Sequence, residues 1–254
     1  MKTGFCNNPR RDLIKEIEWI GKNRFDFVDL FLEEDRSTPE KINAGMVKEM
    51  LNKYNLGVIG HLAWYLPIGS PIQALRDASV HEAARHFPLL SELGAKYVTV
   101  HANWPGLLFS DKEGIGFQVE TLQKILAEAG KFGLGLMYEP IDTERDSPKN
   151  ISRILKCVPG LWLHLDIGHS NLHGRKPWVF IKRFRKKIRH IHMHDNDGSC
   201  DQHLPIGSGS INWGRTIKAL KKRYDGTITL EIFSNRRKHV LSSRDKLIEM
   251  WKRA

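Results

Sequence analysis

A short β-rich run, a polar loop and an amphipathic stretch recur in that order along almost the whole chain. The predicted strands are Thr3–Cys6, Phe27–Phe31, Gly57–His61, Tyr97–His101, Gly135–Glu139, Leu161–Asp166, Ile188–His192 and Thr227–Glu231. The stretches between them carry apolar residues at helical spacing. The first stretch, for example, has Leu13, Ile14, Ile17 and Ile20 at this spacing. Eight strand–helix units over 254 residues predict an α/β protein, a single (β/α)8 TIM barrel, with residues 1–254 as one domain.

An open, doubly wound parallel sheet is the alternative arrangement of such alternating units. It would usually place a glycine-rich, phosphate-binding loop after the first strand. The chain instead reads GFCNNPRR at residues 4–11. The closed barrel is therefore the predicted fold.

The cysteines and the apolar runs bear on where the protein works. Cys6, Cys157 and Cys200 are far apart and odd in number, which predicts no disulfide framework and a reducing compartment. No apolar run reaches the ~18 residues of a membrane helix, and the first residues, MKTGFCNNPRRDL, lack the apolar core of a signal peptide. We expect a cytoplasmic protein with no membrane partner, and its oligomeric state stays open.

The formal net charge of +11 raises the question of a nucleic-acid or phosphate partner. The densest basic run, IKRFRKKIRH at residues 181–190, spans the predicted end of the sixth helix and the start of the seventh strand. It is expected at the face of the barrel opposite the active site, where basic helix ends complement the helix dipole. Much of the charge therefore says nothing about the substrate.

Six consecutive predicted strands end in a side chain that can bind a metal ion. These residues are His61, His101, Glu139, Asp166, His192 and Glu231. In a barrel the C-terminal strand ends converge on one mouth, where the loops build the active site. Imidazole and carboxylate suit zinc, manganese and similar ions, and carboxylates this close repel unless cations neutralise them. The sequence therefore predicts a divalent metal site at the mouth.

Three more ligand candidates follow two of these strands. His169 lies one turn past Asp166 in the segment DIGH, and Asp201 and His203 lie in the loop after the seventh strand. The segment RHIHMHDNDGSCDQH, which covers the seventh strand and this loop, is therefore rich in histidine and aspartate. His190 has the strand parity of His192 but lies one layer deeper, so we expect it inside the barrel.

Four further residues are candidates for substrate contacts. They are Trp64, His194, Arg236 and Arg237. Trp64 follows His61 by three residues, and His194 begins the loop after the seventh strand. The two arginines follow the eighth strand, where barrels often bind phosphate. The loop after the second strand is acidic instead, with Glu33, Glu34 and Asp35, and that is a poor surface for a nucleic-acid backbone.

The chain resembles the xylose isomerase-like TIM barrels, a superfamily that includes endonuclease IV. The resemblance covers nearly the whole chain in the segments HLAWYLPIGSP, TVHANWPG, MYEPID, LDIGH, HMHDND, DQHLPIGSG and TLEIF. It implies nine ligands for three metals, as in endonuclease IV: His61, His101, Glu139, Asp166, His169, His192, Asp201, His203 and Glu231. For the sugar isomerases and epimerases it implies one metal on four of these residues: Glu139, Asp166, His192 and Glu231.

Two enzymatic functions compete for this site. The first is isomerisation or epimerisation of a sugar or sugar phosphate, with one divalent ion, Zn or Mn, polarising the substrate carbonyl. Glu139 and Glu231 would move the proton through an enediolate, and His169 would hold a substrate hydroxyl. The second is cleavage of DNA at abasic sites with two or three zinc ions, as in endonuclease IV. A metal-binding scaffold without catalysis is the third alternative.

The complete set of nine ligands favours the endonuclease, and three features favour the sugar enzyme. The start of the chain lacks the glycine-rich opening of endonuclease IV. The loop after the second strand is acidic, and the segment HDND followed by DQHLPIGSGSINW resembles the sugar isomerase-like branch. No set of apolar side chains suited to intercalation into bent DNA is evident in the sequence. We therefore predict a metal-dependent isomerase or epimerase with a carbohydrate substrate, and keep the endonuclease, with DNA as its partner, as the alternative.

Overall fold

The structure, a computed structural model, describes residues 1–33, 36–222 and 224–254. In these ranges eight parallel strands close into a barrel in chain order, from β1 to β8. The strands are β1 Lys2–Cys6, β2 Phe27–Leu32, β3 Gly57–Leu62, β4 Tyr97–His101, β5 Gly135–Glu139, β6 Trp162–Asp166, β7 Ile188–Met193 and β8 Thr227–Leu230. The barrel closes where β1 pairs with β8, for example at Gly4 and Thr229. The predicted (β/α)8 TIM barrel is confirmed.

A helix follows each strand, so that the polar loops after the strands gather at one end of the barrel. The helices are α1 Leu13–Lys22, α2 Ala44–Tyr54, α3 Gln73–Glu92, α4 Asp111–Lys131, α5 Pro148–Cys157, α6 Pro177–Phe184, α7 Trp213–Lys221 and α8 Lys238–Arg253. Short 3-10 turns at Pro39–Lys41 and His169–Asn171 lie in two of the loops.

The sequence explains several helix boundaries. Ser110 begins α4 with a capping box, in which its side chain accepts from the Glu113 backbone N–H and the Glu113 carboxylate reaches back to the cap. Ser147 caps α5 with a single bond, in which its side chain accepts from the Asn150 backbone N–H, and Pro148 occupies the first turn, where no backbone donor is needed. These two caps fix the residues at which the loops after β4 and β5 end and the helices α4 and α5 begin.

Alternating residues of the strands face the barrel interior, and they change from apolar to polar along the barrel. Near the N-terminal ends of the strands, Phe27, Ile59 and Met137 form a separate buried apolar cluster. Two residues further along the same strands lie Asp29, His61 and Glu139, which are also buried. This step of two residues is the strand period, so each strand that contributes to the apolar floor also delivers a polar group above it.

Three further sequence features have clear positions. Residues 181–190 span the end of α6 and the start of β7, opposite the strand C-termini. Cys6 is buried, Cys157 and Cys200 are exposed, and all three are free thiols. Among the described helices, none combines the length and the apolar character needed to cross a bilayer.

Candidate metal centre

All nine residues predicted as metal ligands lie at the barrel mouth or in the loops that rise from it. One group forms where β3, β4 and β5 end. Nε2 of His101 lies 3.1 Å from Oε2 of Glu139, and Nε2 of His61 lies 3.5 Å from the same oxygen. The two Nε2 atoms are 3.4 Å apart. Two imidazoles and one carboxylate therefore converge on one point.

A second group surrounds Nδ1 of His192, where β5 to β8 end. This atom lies 3.0 Å from Oε2 of Glu231, 3.5 Å from Oε1 of Glu139 and 3.9 Å from Oδ2 of Asp166. These four residues are the single-metal set that the family resemblance implies. Glu139 contributes one oxygen to this group and the other to the His61–His101 group, so it bridges the two.

A third group lies in the loops after β6 and β7. Oδ2 of Asp201 lies 2.7 Å from Nε2 of His203 and 3.2 Å from Nε2 of His169. Nε2 of His194 lies 3.1 Å from Oδ1 of Asp166 and 3.4 Å from Oδ1 of Asp201. These residues could hold an additional ion beside the His192 group.

The donor atoms of the three groups fit one or more divalent cations. Both oxygens of Glu139, Oδ2 of Asp166, Oδ1 of Asp201 and Nε2 of His194 are buried and make no aligned hydrogen bond within the described residues. Leaving a buried polar atom unpaired costs about 1–3 kcal/mol, and more when the group is charged. Ions bound among these atoms would satisfy them, and the mixture of imidazole and carboxylate suits zinc or manganese.

Two histidines have their ligand nitrogen fixed by the backbone. Nδ1 of His169 lies 3.0 Å from the Pro140 carbonyl oxygen, and Nδ1 of His203 lies 3.0 Å from the Glu231 carbonyl oxygen. A carbonyl can only accept, so Nδ1 carries the proton in both rings. Nε2 is then left with its lone pair toward Asp201. The backbone thus prepares both rings as ligands.

The buried carboxylates and imidazoles of the site shift one another's pKa values toward the charged forms. Burial raises the pKa of Glu139, but the nearby imidazoles, His164 foremost, outweigh it and hold the pKa well below its usual range. Burial lowers the pKa of His192, yet Glu231 and Glu139 raise it well above normal. For His203 burial is likewise outweighed, chiefly by Glu231, and the pKa rises to about 9. Protons and metal ions therefore compete for the same imidazoles.

Asp195 anchors the loop that carries Asp201 and His203. Its buried carboxylate accepts hydrogen bonds at Oδ2 from the Gly207 N–H, at 2.8 Å, and from Nε1 of Trp213, at 2.7 Å. Its Oδ1 accepts from the backbone N–H groups of residues 196 and 211, at 3.0 and 3.3 Å. One carboxylate thereby ties both ends of the loop together.

A cavity of about 990 Å³ opens above the metal ligands. The predicted ligands that line it are His61, His101, His169, Asp201, His203 and Glu231. Its sides include the loop Asn7–Arg11, Glu33, Trp64 and Phe233. Trp64 and Phe233 expose 59% and 62% of their surface, and Phe233 stacks one ring face on His203, so Trp64 and the other face of Phe233 are available to a ligand. Trp64 therefore lies where a substrate contact is expected.

The other three predicted substrate contacts are placed differently. His194 is fully buried and does not line the cavity, because its ring packs on His203, with ring centroids 4.1 Å apart. Gly168 makes room for it, since a Cβ there would lie 1.9 Å from Cε1 of His194. The position of His194 is that of a metal ligand or an orienting group.

The two arginines after β8 do not form the expected phosphate site. Arg237 lines the cavity, but its guanidinium binds the Glu16 carboxylate and lies over the Trp19 ring, 4.4 Å from the centroid. Arg236 is absent from the cavity lining. The chain turns into α8 directly after these residues, which directs Arg237 toward α1.

Sequence reasoning missed Asp29 as a member of the site. It lies in β2, is completely buried, and contacts three histidines. The available signal was its strand parity with Phe27 and Phe31 in the segment FVDLF, where a lone carboxylate interrupts an apolar run. Of the predicted acidic loop, Glu33 lines the cavity, whereas Glu34 and Asp35 lie outside the described residues.

Comparison with known proteins identifies the family. Residues 17–253 match the family model described as a xylose isomerase-like TIM barrel. The chain belongs to this family. It is 28% identical over 240 residues to the uncharacterized protein MJ1311 of Methanocaldococcus jannaschii, covering 86% of this chain and 78% of that protein. It is 21% identical to the fructoselysine 3-epimerase of Escherichia coli O157:H7, covering 91% and 90%.

Two further matches carry names that refer to the two kinds of enzyme considered above. The crystal structure of a D-tagatose 3-epimerase-like protein superposes with a TM-score of 0.89 at 27% identity, covering 99% of this chain and 97% of the other. The probable endonuclease 4 of Aquifex aeolicus is 25% identical over 203 residues, covering 71% of each chain.

Proposed function

We propose that this chain is a divalent-metal-dependent epimerase or isomerase of a sugar or sugar phosphate, and that it works by proton transfer through an enediolate. The observation that carries the proposal is the pair of carboxylates around Nδ1 of His192, with Glu231 at 3.0 Å and Glu139 at 3.5 Å, of which Glu231 lines the cavity. The full-length similarity to a D-tagatose 3-epimerase-like protein supports it.

Glu139, Asp166, His192 and Glu231 would hold the ion. When bound, a Zn or Mn ion would polarise the substrate carbonyl and so acidify the neighbouring C–H. Each carboxylate has two oxygens, so a ligand carboxylate keeps one oxygen for proton transfer. We assign abstraction of the proton to one of the pair Glu139 and Glu231 and return of the proton to the other.

The two carboxylates are not equivalent in the structure. Glu231 lines the cavity, whereas Glu139 is fully buried and is not part of the lining. Glu231 is therefore the better placed of the two to meet substrate first. His169 also lines the cavity, and its Nε2 would hold a substrate hydroxyl or, together with Asp201, a further ion.

The cavity suits a carbohydrate. Its volume of about 990 Å³ lies at the upper end of the range of small-molecule sites, about 300–1,000 Å³. The exposed rings of Trp64 and Phe233 offer apolar faces to the C–H side of a sugar. If the substrate is phosphorylated, Arg11 on the cavity lining would offer a positive charge, whereas Arg237 is paired with Glu16.

The test is exchange of the substrate α-proton with solvent. The protein, loaded with manganese or zinc, is incubated with a panel of ketoses and ketose phosphates in D2O, and deuterium at the α-carbon is measured by NMR. We expect exchange with at least one sugar, and a loss of about 10²–10⁴-fold in the Gln variant of whichever carboxylate, Glu231 or Glu139, abstracts that proton. Conversion of the sugar to its product should fall in both variants.

The matched control is Glu144→Gln, which changes an exposed carboxylate outside the cavity lining. It should exchange at the wild-type rate. Full exchange in both catalytic variants would refute the assigned roles, and absence of exchange with every sugar on the metal-loaded wild-type chain would refute the proposed activity. Loss of exchange with metal retained would also argue against a non-catalytic metal scaffold.

The second candidate is cleavage of DNA at abasic sites. It is favoured by the assembly of all nine ligand positions, because a single-ion sugar enzyme does not need His61, His101, Asp201 and His203. The similarity to a probable endonuclease 4 also supports it. Incision of a duplex oligonucleotide with one abasic site, by the zinc-loaded chain, tests this alternative directly. Incision without any sugar exchange would reverse the order of the two proposals.

A further inference from the structure

Asp29 lies beneath the metal ligands, in the middle of β2, and does not line the cavity. Its Oδ2 accepts hydrogen bonds from Nε2 of His192, at 2.7 Å, and from Nε2 of His190, at 3.1 Å. The hydroxyl of Thr229 donates to the same oxygen, at 2.8 Å. One carboxylate oxygen therefore gathers three donors in the barrel interior.

The hydrogen bond to His192 determines which of its nitrogens can bind a metal. A neutral imidazole has one N–H and one lone pair. Because Asp29 only accepts, Nε2 of His192 carries the proton, and Nδ1 keeps its lone pair. Nδ1 is the atom that faces Glu231, Glu139 and Asp166. Asp29 thus selects the nitrogen that points into the proposed single-metal group.

The other oxygen of Asp29 faces a second predicted ligand. Oδ1 of Asp29 and Nδ1 of His61 are 3.5 Å apart without an aligned hydrogen bond, and neither atom has a hydrogen-bond partner within the described residues. A proton on Nδ1 of His61 leaves Nε2 with its lone pair. Nε2 is the atom that faces His101 and Glu139. The two sides of one carboxylate therefore favour opposite tautomers, in His192 through a hydrogen bond and in His61 through the negative charge that faces Nδ1.

We propose that Asp29 is a positioning residue of the metal centre, which sets His61 as the Nδ1–H tautomer and His192 as the Nε2–H tautomer. The role rests on the proposed metal site, although it does not depend on which substrate is turned over. A carboxylate that accepts from the second nitrogen of a ligand histidine fixes the ring and raises its basicity, and losing it typically weakens metal binding about 10–100-fold.

The isosteric change Asp29→Asn tests this role, because an amide accepts hydrogen bonds at its oxygen only, whereas a carboxylate accepts them at both oxygens. If the amide oxygen replaces Oδ2, the NH2 group faces Nδ1 of His61 and requires a lone pair there. The proton then moves to Nε2, and His61 loses its ligand atom. If the amide is flipped, its NH2 group faces Nε2 of His192, and Nδ1 of that ring becomes protonated instead. Either orientation disables one ligand.

The experiment reads the tautomers in the zinc-loaded protein. Zinc is diamagnetic, so long-range ¹H–¹⁵N correlation spectra of ¹⁵N-histidine-labelled protein show which ring nitrogen carries the proton and which binds metal. We expect Nδ1–H for His61 and Nε2–H for His192 in the wild-type chain. In Asp29→Asn one of the two should lose its metal-bound signal, and zinc affinity should fall about 10–100-fold.

The matched control is Asp146→Asn, at another buried carboxylate. Its partners are Nε1 of Trp104 and the Thr143 hydroxyl, outside the metal ligands. This variant should keep both tautomers and the wild-type zinc affinity. Unchanged affinity and unchanged tautomers in Asp29→Asn would overturn the proposal.

The wild-type spectrum alone keeps the proposal falsifiable if Asp29→Asn does not fold. A proton on Nδ1 of His192 in the wild-type protein would refute the role of Asp29. Failure of the wild-type chain to bind zinc would overturn the metal centre together with this role. The expected tautomers without sugar exchange would overturn only the proposed activity.

Discussion

Replacing Asp195 should release the loop that carries Asp201 and His203 without unfolding the barrel. In Asp195→Asn, one side of the carboxylate becomes an NH2 group and faces two N–H donors. That side is either the pair Gly207 and Trp213 or the pair Asn196 and Ile211. Two buried hydrogen bonds are then lost, at about 1–3 kcal/mol each, which predicts a cost of about 2–6 kcal/mol.

The loop can relieve this cost by opening locally. The donors at residues 207 and 211 lie in the loop itself, so opening returns them to water. Asp201 and His203 would leave the mouth with the loop, whereas the strand-end residues Glu139 and His192 would stay in place. We therefore expect the variant to keep the ion on the strand ends and to lose any ion that Asp201 and His203 hold.

The assay combines denaturant unfolding with elemental analysis of bound metal. The matched control is Asp197→Asn in the same loop, because within the described part of the chain this exposed carboxylate accepts hydrogen bonds only from Ser199 and Gln202. The control should match the wild-type chain in both measurements. Wild-type stability together with wild-type metal content in Asp195→Asn would show that the carboxylate does not anchor the loop.

Three further predictions concern proton transfer, stability and metal affinity. Glu139→Gln and Glu231→Gln should each lower kcat about 10²–10⁴-fold with metal retained, and a change confined to KM would contradict their role. Burial raises the pKa of Asp146 to about 6, above the unfolded value near 4, so the folded chain holds this proton more tightly. The free energy of unfolding should therefore fall by up to about 3 kcal/mol as pH rises from about 4 to 6, and Asp146→Asn should remove that part of the slope in denaturant titrations; an unchanged slope would refute it. Since the pKa of His203 is about 9 in the metal-free chain, calorimetry should show affinity for an ion at this ring falling as pH drops below 9, and a flat profile would contradict the ligand role.

The sequence predicted the barrel because its strand period and its ligand positions are local properties. β5 spans Gly135–Glu139 as predicted, whereas β3 and β7 continue one residue beyond His61 and His192. Strand parity also placed His190 correctly inside the barrel, where it is completely buried. Local spacing was thus sufficient to locate the end of each strand at the mouth within one residue.

The remaining features depend on contacts between distant parts of the chain. Arg237 meets Glu16 across 221 positions, and Asp29 meets His192 across 163, so neither pairing leaves a local pattern. His194 follows the parity of His192, but the turn after β7 buries it against His203 and away from the cavity. Closure of the barrel brings α1 beside the segment after β8, and the barrel interior brings a side chain of β2 against one of β7.

The metal content of the chain tests the central claim most directly. Protein purified without chelator or added metal is analysed for zinc and manganese per chain, before and after reloading. We expect one to three ions per chain. One ion would indicate that only the group around His192 is occupied. Two or three ions would indicate that the His61 group or the Asp201–His203 loop also holds an ion. No bound ion, even after reloading, would contradict the metal centre and both enzymatic functions that depend on it.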